Sequence, residues 1–538
     1  MGEGRIYQLN AERDSLVTDV VQRTLQRVGV SEAAVELAVN DVAFHEIARL
    51  EADPRRAEAL RGWLDLYRTL GRRSPEAKHA KLREITEGYG RDIVGSFTPW
   101  VYRFATGVIP RGLSLLFRRR SLSNAPRLEE LERRIVVQGQ VEALKALSRR
   151  GTVILVPTHS SNLDSIVVGF ALDRLGLPPF TYGAGKNLFA NPLIGFFMHN
   201  LGAYKVDRRL RNGLYKEVLK TYSTVVLERG YHSLFFPGGT RSRSGGVEHK
   251  LKLGLLGTGL AAYINNVRAG RAAPDIYVVP MTINYPLVLE GATQIEDHLK
   301  AQGKSRYIIE DDEFARWERW LAYARSVMNF EGQMVLRVGQ ALDVFGNPVD
   351  ADGTSRDSHG RAIDVTRYVS TTGQVADVPA RDAEYTRQLG EAVQASFLAN
   401  NVVLSTHLVA FTLFELVRGK HPGQDLYHLI RLPGDTTLPI EAVMQALARV
   451  REQLFKLAAA GRIHLSETVG SRPYEEVFRV AMAYFQMYHT RPLATTDTRE
   501  VTLTDMKLLF YYHNRLTGYG LERLFQPAHT EAPEHDLA

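Results

Sequence analysis

The amino-acid sequence predicts an α/β core held between two helical regions. Three observations carry that reading. Between Gly151 and about Gly339, short apolar runs alternate with helix-length segments, as strands and helices laid in turn along a chain do. Residues 10–92 carry helical spacing with many charges. The same spacing returns from Ala383 to about Phe525.

Taken in order, residues 1–92 form a helical N-terminal region in which Asp53 and Pro54 mark a turn between two helices. Residues 93–150 become apolar and aromatic, with Trp100, Tyr102, Phe104 and Phe117, and then basic at Arg118, Arg119 and Arg120. Rings beside guanidinium groups fit the headgroup level of a bilayer, which makes Trp100 and the three arginines candidate membrane-interface residues. A buried helical hairpin followed by a solvated charge run fits the same letters. Residues 151–345 hold the core. Its expected strands are TVILVP, TYGAG, HSLFFPG, IYVVPMTINY and QMVLRVG. Its expected helices are SIVVGFALDRLG, NPLIGFFMHNLG and GLYKEVLKTYSTVVLERG. Pro280 lacks an N–H within an apolar run and calls for a sheet edge or a strand break. Residues 346–380, rich in Gly, Asp and Pro, read as a polar excursion. Residues 381–525 read as a helical C-terminal region and 526–538 as a disordered tail. No internal repeat of fixed period is expected.

With 538 residues, 44% of them hydrophobic, the chain has material for several packed units. It has no cysteine, which excludes disulfides, thiolate metal sites, CxxC redox chemistry and a cysteine acyl-enzyme. MGEGRIYQLNAERDS lacks the apolar stretch of a signal peptide, and Ile6 stands where a myristoylation motif wants Ser or Thr, so a cytoplasmic protein is expected. No stretch reaches the roughly 18 apolar residues that span a bilayer, although 93–117 and 402–417 come partway. Lys plus Arg number 67 against 60 Asp plus Glu, a balance that suits phosphorylated metabolites, acidic lipid or nucleic acid. The basic residues interleave with acidic ones and no recognition motif appears, so no nucleic-acid partner is expected.

The candidate chemistry lies in VILVPTHSSNLDSIVVGFAL. His159 falls just past a strand, Ser160, Ser161 and Asn162 are candidate helix caps, and Asp164 enters the first helical turn. The carboxylate can then fold back on the imidazole. An imidazole, titrating near neutral pH, can take the proton of an attacking hydroxyl while an aspartate fixes its tautomer. A capping histidine near a strand end reads the same way. LGAYKVDRRLRNG supplies Lys205, Arg208, Arg209 and Arg211. HSLFFPGGTRSRSGG then supplies Gly238 and Gly239, which admit close backbone approach, followed by Thr240, Arg241, Ser242 and Arg243 as phosphate-type donors. Each basic loop alone reads equally as a solvated surface. GAGKN lacks P-loop spacing and leaves Lys186 a loop lysine; HExxH and GxSxG are absent, and neither a metal nor a cofactor is expected.

In order, His159 to Asp164, Gly202 to Arg209, Phe236 to Arg243 and Val279 to Tyr285 resemble the four blocks of the glycerol-phosphate acyltransferase family. Those blocks are a His and an Asp separated by four residues, a phosphate-binding segment, a Phe-Pro-Glu-Gly-Thr-Arg-Ser-Arg segment, and an apolar segment with proline. The likeness is densest over about residues 150–290, and the helical flanks are similar to those of the larger bacterial glycerol-3-phosphate acyltransferases. The resemblance implies an α/β acyltransferase core, a mixed sheet flanked by helices, with His159 as general base and Asp164 as its orienting partner. It assigns Lys205, Arg208, Gly239, Thr240, Arg241, Ser242 and Arg243 to the acceptor phosphate, and Pro280 and Met281 to the acyl site. The implied reaction moves a fatty acyl group from acyl-CoA or acyl carrier protein, as co-substrate, to the sn-1 hydroxyl of glycerol 3-phosphate without a metal or covalent intermediate. Its place is the cytoplasmic face of a membrane whose lipids are partners. One position departs: where the family usually has Glu in the third block, this chain has Gly238. That departure keeps open dihydroxyacetone phosphate or 1-acylglycerol 3-phosphate as acceptor, and, in another class, a catalytically silent lipid-binding relative.

Overall fold

The computed structural model describes residues 4–51, 54–108, 135–302, 333–371, 373–432, 436–487 and 492–526. Strands β2 (Thr152–Pro157) and β6 (Ile276–Asn284) are buried along their whole length. Runs apolar on both faces belong at the centre of a sheet covered on both sides. The two pair in parallel, from Thr152 with Ile276 to Pro157 with Met281. Around them stand β1 (Ile135–Gly139), β3 (Thr181–Gly185), β4 (Ala203–Val206), β5 (Ser233–Leu234) and β7 (Met334–Val338). The seven strands lie in the order β1-β7-β6-β2-β5-β3-β4. Neighbours are parallel except β6 with β7, so the sheet is mixed.

Side chains alternate between two cores, as the strand period of two requires. Val153, Leu155, Val279 and Met281 face one core, which runs on into the C-terminal helices, while Ile154, Val156, Ile276 and Val278 face the other. The N-terminal helices α1 (Leu9–Val28), α2 (Glu32–Glu51), α3 (Ala57–Thr69) and α4 (Pro75–Ile93) are followed by the short α5 (Pro99–Arg103). Helices α1 to α4 share a third core with Tyr204 on β4 and with Tyr215, Tyr222 and Val225. Flanking the sheet are α6 (Val141–Arg150), α7 (Asp164–Arg174), α8 (Pro192–Asn200), α9 (Gly213–Glu228), α10 (Leu253–Arg268) and α11 (Gly291–Gln302). The C-terminal region is built on α12 (Pro379–Ala399), α13 (Ser405–Lys420), α14 (Ile440–Ala459), α15 (Tyr474–Phe485) and α16 (Met506–His513).

The structure departs from the sequence reading at several places. Strand β1 and α6 lie within the span given to the interface segment, yet β1 pairs with β7 and is part of the sheet. The run HSLFFPG yields only two residues of strand, and β4 and α10 had no counterpart in the reading. Pro280 is neither at an edge nor at a break in β6, which lies between β7 and β2. On the β7 side, pairing slips by one residue between Val278–Leu342 and Met281–Val338, and Gly339 donates to the Pro280 carbonyl there. The missing N–H falls in that bulge, where the ladder is already interrupted. The apolar run 402–417 is a short strand and α13, whose side chains are buried against α16, α14 and α15. Among the described residues no helix is long and apolar enough to cross a membrane.

A repeat of seven residues is present after all. Asp343, Asp350 and Asp357 each open a turn closed by Gly346, Gly353 or Gly360 at φ of 94°, 85° and 78°. Each aspartate accepts from the N–H groups two and four residues on, at 2.8 to 3.0 Å. Asx turns of this kind spend the carboxylates on their own backbone. The bridges Leu342–Pro348, Val349–Ser355 and Arg356–Ala362 stack the turns into a staircase leading away from β7.

Candidate active site

The site begins where β2 ends. Thr158 anchors the chain to β6 by donating its N–H to Met281 O and accepting from Ile283 N, both at 2.9 Å. The next residue, His159, sends its Nδ1 to Asp164 Oδ2 at 2.8 Å. Asp164 is the first residue of α7 and is fully buried. Its Oδ2 also accepts from the N–H groups of Ser160 (2.7 Å) and Ser161 (2.9 Å), and its Oδ1 from the Tyr285 hydroxyl (2.7 Å). Four donors converge on one carboxyl group, an arrangement in which Nδ1 donates to Asp164 and Nε2 is left as the acceptor. Phe236 stacks on the imidazole, ring centroids 4.1 Å apart, and fixes its plane. The expected caps act differently: Ser160 and Ser161 give their N–H groups to Asp164 and leave α7 without a side-chain cap.

The third block is laced to the same histidine. Ser242 donates its N–H to His159 O at 2.7 Å and its hydroxyl to Gly246 O at 2.6 Å. Gly239 turns the chain with φ of 71°. Arg241 reaches Glu290 at 3.6 Å, and Glu290 in turn accepts from Ser161 Oγ (2.9 Å) and Asn162 N (3.0 Å). Burial raises the Glu290 pKa, and Arg241 works against that rise. Arg208 stands at the rim, exposed by area; even so, desolvation first, then the like charges of Arg241 and Arg243, lower its pKa. Arg241 and Arg243 thus lie near enough for their charges to act on Arg208, a grouping of like charge that suits an anion.

Other residues singled out by sequence fall elsewhere. Lys205 and Lys186 both bind Asp92, at 3.2 and 2.7 Å, and Lys205 lies over the Phe189 ring. Pro280 and Met281 lie on β6, and the Met281 side chain is buried in the core. Trp100 is 59% exposed beside Phe196, while Arg118, Arg119 and Arg120 lie outside the described residues.

Four positions carry the site without having been read from sequence: Tyr285, Glu290, Glu248 and Gln294. Gln294 donates to Ser160 O at 2.9 Å and receives the Tyr511 hydroxyl at 3.2 Å. Only Tyr285 had a sequence signal, as the last residue of the fourth block. The carboxylates are single acidic letters far from His159 in the chain.

A buried aspartate orienting an imidazole at a strand end, beside clustered arginines, is an arrangement that can activate a hydroxyl. Residues 138–284 match the family model described as Acyltransferase. The chain is also similar to proteins named glycerol-3-phosphate acyltransferase from three bacteria. That of Pseudomonas paraeruginosa is 28% identical over 39% of this chain and 23% of its own length. That of Pseudomonas syringae pv. syringae is 26% identical over 63% of this chain and 35% of its own. That of Pseudomonas fluorescens Pf0-1 is 29% identical over 39% and 22%. The matches thus span between about a fifth and about a third of the length of those relatives. The span that matches the acyltransferase model takes in most of the mixed sheet, and over that span the chain is similar to glycerol-3-phosphate acyltransferases.

Proposed function

We propose that the protein transfers a fatty acyl group from a thioester, acyl-CoA or acyl carrier protein, to the sn-1 hydroxyl of glycerol 3-phosphate. The observation that carries this reading is the Asp164-oriented His159, with Nε2 unengaged by Asp164, beside Arg208, Arg241 and Arg243. The arginines hold the acceptor phosphate. Nε2 takes the hydroxyl proton as the oxygen attacks the thioester carbonyl, and Asp164 stabilises the imidazolium. The tetrahedral intermediate then breaks its C–S bond, and the imidazolium proton goes to the leaving sulfur. No group of the chain is acylated in this sequence. Purified protein supplied with palmitoyl-CoA or palmitoyl-acyl carrier protein and labelled glycerol 3-phosphate should form lysophosphatidate. His159→Ala should lower kcat about 10³-fold or more. Equal turnover by the variant refutes the assignment.

The same reading places the enzyme on the cytoplasmic face of a membrane. Its support is an apolar cluster: Trp100, Phe104 and Phe196 are 59%, 41% and 44% exposed, and the Trp100 and Phe196 rings lie 6.3 Å apart. Large rings left in water together favour a lipid interface, where an indole meets both acyl chain and headgroup.

A further inference from the structure

Gly238 stands where the third block departs from its family, and the structure gives that departure a cause. A Cβ at position 238 would come within 2.8 Å of Glu248 Oε2 and 2.9 Å of its carboxyl carbon. The volume that a side chain at 238 would enter is therefore already occupied, by a carboxyl group arriving from ten residues further on. Glu248 is 8% exposed. Its Oε1 accepts the His159 N–H at 2.6 Å, while its Oε2 is buried and makes no hydrogen bond of good geometry among the described residues, although the Gly238 N–H acts on the carboxyl group. A buried oxygen without a partner costs on the order of 1–3 kcal/mol, so its retention points to a ligand that satisfies it.

The surroundings say which ligand. Asp164 and Arg515 act on Glu248 electrostatically, and the Gly238 N–H favours its charged form. The arginines near this turn take a phosphate. What a polyol phosphate brings besides phosphate is hydroxyl groups, and a carboxyl group meets a hydroxyl in either protonation state, accepting when ionised and donating when neutral. Building on the reading of the protein as a glycerol 3-phosphate acyltransferase, we propose that Glu248 supplies from outside the third block the carboxyl group that position 238 lacks, and that its Oε2 binds the hydroxyl of the acceptor that does not react. Glu248 thereby determines acceptor specificity, and through the His159 main chain it holds the base in register with that acceptor.

The test compares glycerol 3-phosphate with 3-hydroxypropyl phosphate, which keeps the primary hydroxyl and the phosphate but lacks the secondary hydroxyl. Wild type should prefer glycerol 3-phosphate by roughly 10- to 100-fold or more in kcat/KM, since the analogue loses one hydrogen bond and leaves its buried partner unsatisfied. Glu248→Ala should bring that ratio to within about threefold of unity, Glu248→Gln should keep part of it, and Gly238→Glu/Glu248→Ala should recover it. A merely structural role lowers turnover of both acceptors alike, so an unchanged ratio in Glu248→Ala overturns the proposal. Thermal denaturation gives an arm independent of turnover. Gly238→Glu alone crowds two carboxyl groups into one buried volume and should lower Tm, and the double variant should restore it. Gly238→Glu with the wild-type Tm overturns the placement. Wild type inactive with every donor and acceptor would instead remove the acyltransferase reading, and the Tm comparison would still decide whether positions 238 and 248 share one carboxyl site.

Discussion

Replacing Asp164 separates its two duties, because an asparagine fulfils one and not the other. In Asp164→Asn the amide oxygen takes the place of Oδ2 and still accepts from His159 Nδ1, Ser160 N and Ser161 N. The NH₂ group replaces Oδ1, and the Tyr285 hydroxyl, now 2.7 Å from a donor, turns to accept. The fold and the tautomer survive, and only the charge opposite the imidazolium is lost. That charge acts when the proton reaches Nε2, so kcat should fall about 10²- to 10⁴-fold with acceptor KM within a few-fold. Asp164→Ala strands all four donors in a place that is 0% exposed. At roughly 1–3 kcal/mol each, that is on the order of 4–12 kcal/mol, comparable to the whole stability of a typical domain. Steady-state kinetics and thermal denaturation should therefore give a folded, slow asparagine variant and an alanine variant that is unfolded or grossly destabilised. An asparagine variant with wild-type kcat, or an alanine variant with wild-type Tm, refutes this account of Asp164.

The other predictions concern the acceptor, the membrane and pH. Arg208→Ala and Arg243→Ala should each raise the glycerol 3-phosphate KM roughly 10- to 100-fold with donor KM unchanged, as loss of one charged hydrogen bond does, and equal effects on both substrates would argue against phosphate binding. Glu290→Ala frees Arg241 and leaves Ser161 Oγ and Asn162 N without their acceptor, so acceptor KM should rise about 10-fold and Tm should drop; a wild-type KM would show that Arg241 needs no tether. Trp100→Ala/Phe196→Ala should weaken partition into anionic vesicles at least about 10-fold, and unchanged flotation would remove the patch from the membrane account. Burial pushes the Glu248 carboxyl up to about 8 from 4.5. The unfolded chain then ionises first, and stability is lost as pH rises from about 4.5 to about 8, by an amount on the order of 5 kcal/mol. Glu248→Gln lacks this slope and should gain on wild type between pH 5.5 and pH 8.5 in denaturant titrations, whereas parallel pH profiles would count against a raised carboxyl.

What the sequence made legible followed from how each feature is encoded. Strands β2 and β6 are continuous apolar runs because both their faces are covered, and the runs are visible as such. Strand β5 is two residues long, and β4, AYKV, is four residues long and includes a lysine, so neither has a period to read. The Gly-rich start of α10, LGLLGTGLAAY, hides a helix whose glycines let it lie close: a Cβ at Gly259 would meet Ile154 at 2.9 Å. Pro280 sent the reading to an edge because the compensating bulge sits on another strand. His159 and Asp164 were legible because a strand end and a helix start bring residues five apart together. Glu248 and Glu290 were not, since what marks them is burial beside the site, and burial of a single carboxylate leaves no local pattern.

That distinction bears on where the catalytic unit ends. The family match stops at residue 284, yet groups that close the back of the site come from much further along. Gln294, which holds the Ser160 carbonyl, is itself held by Tyr511. Asn514 donates to Ser244 O at 2.9 Å and so steadies the third block, and a Cβ at Gly245 would strike the Tyr511 carbonyl at 2.2 Å. Buried Arg515 clamps Ile283 O, Asn284 and Asn401 together, which ties the end of β6 to the C-terminal region. Arg515 also lies near enough to Glu248 and Asp164 for its charge to act on both. A guanidinium buried so deeply is retained at a cost in desolvation, and what it provides in return is a fixed distance between β6 and the loop after His159. On the proposed reading the matched residues supply the chemistry, while the turn from α16 to Arg515 helps set the geometry in which His159, Asp164 and the third block meet.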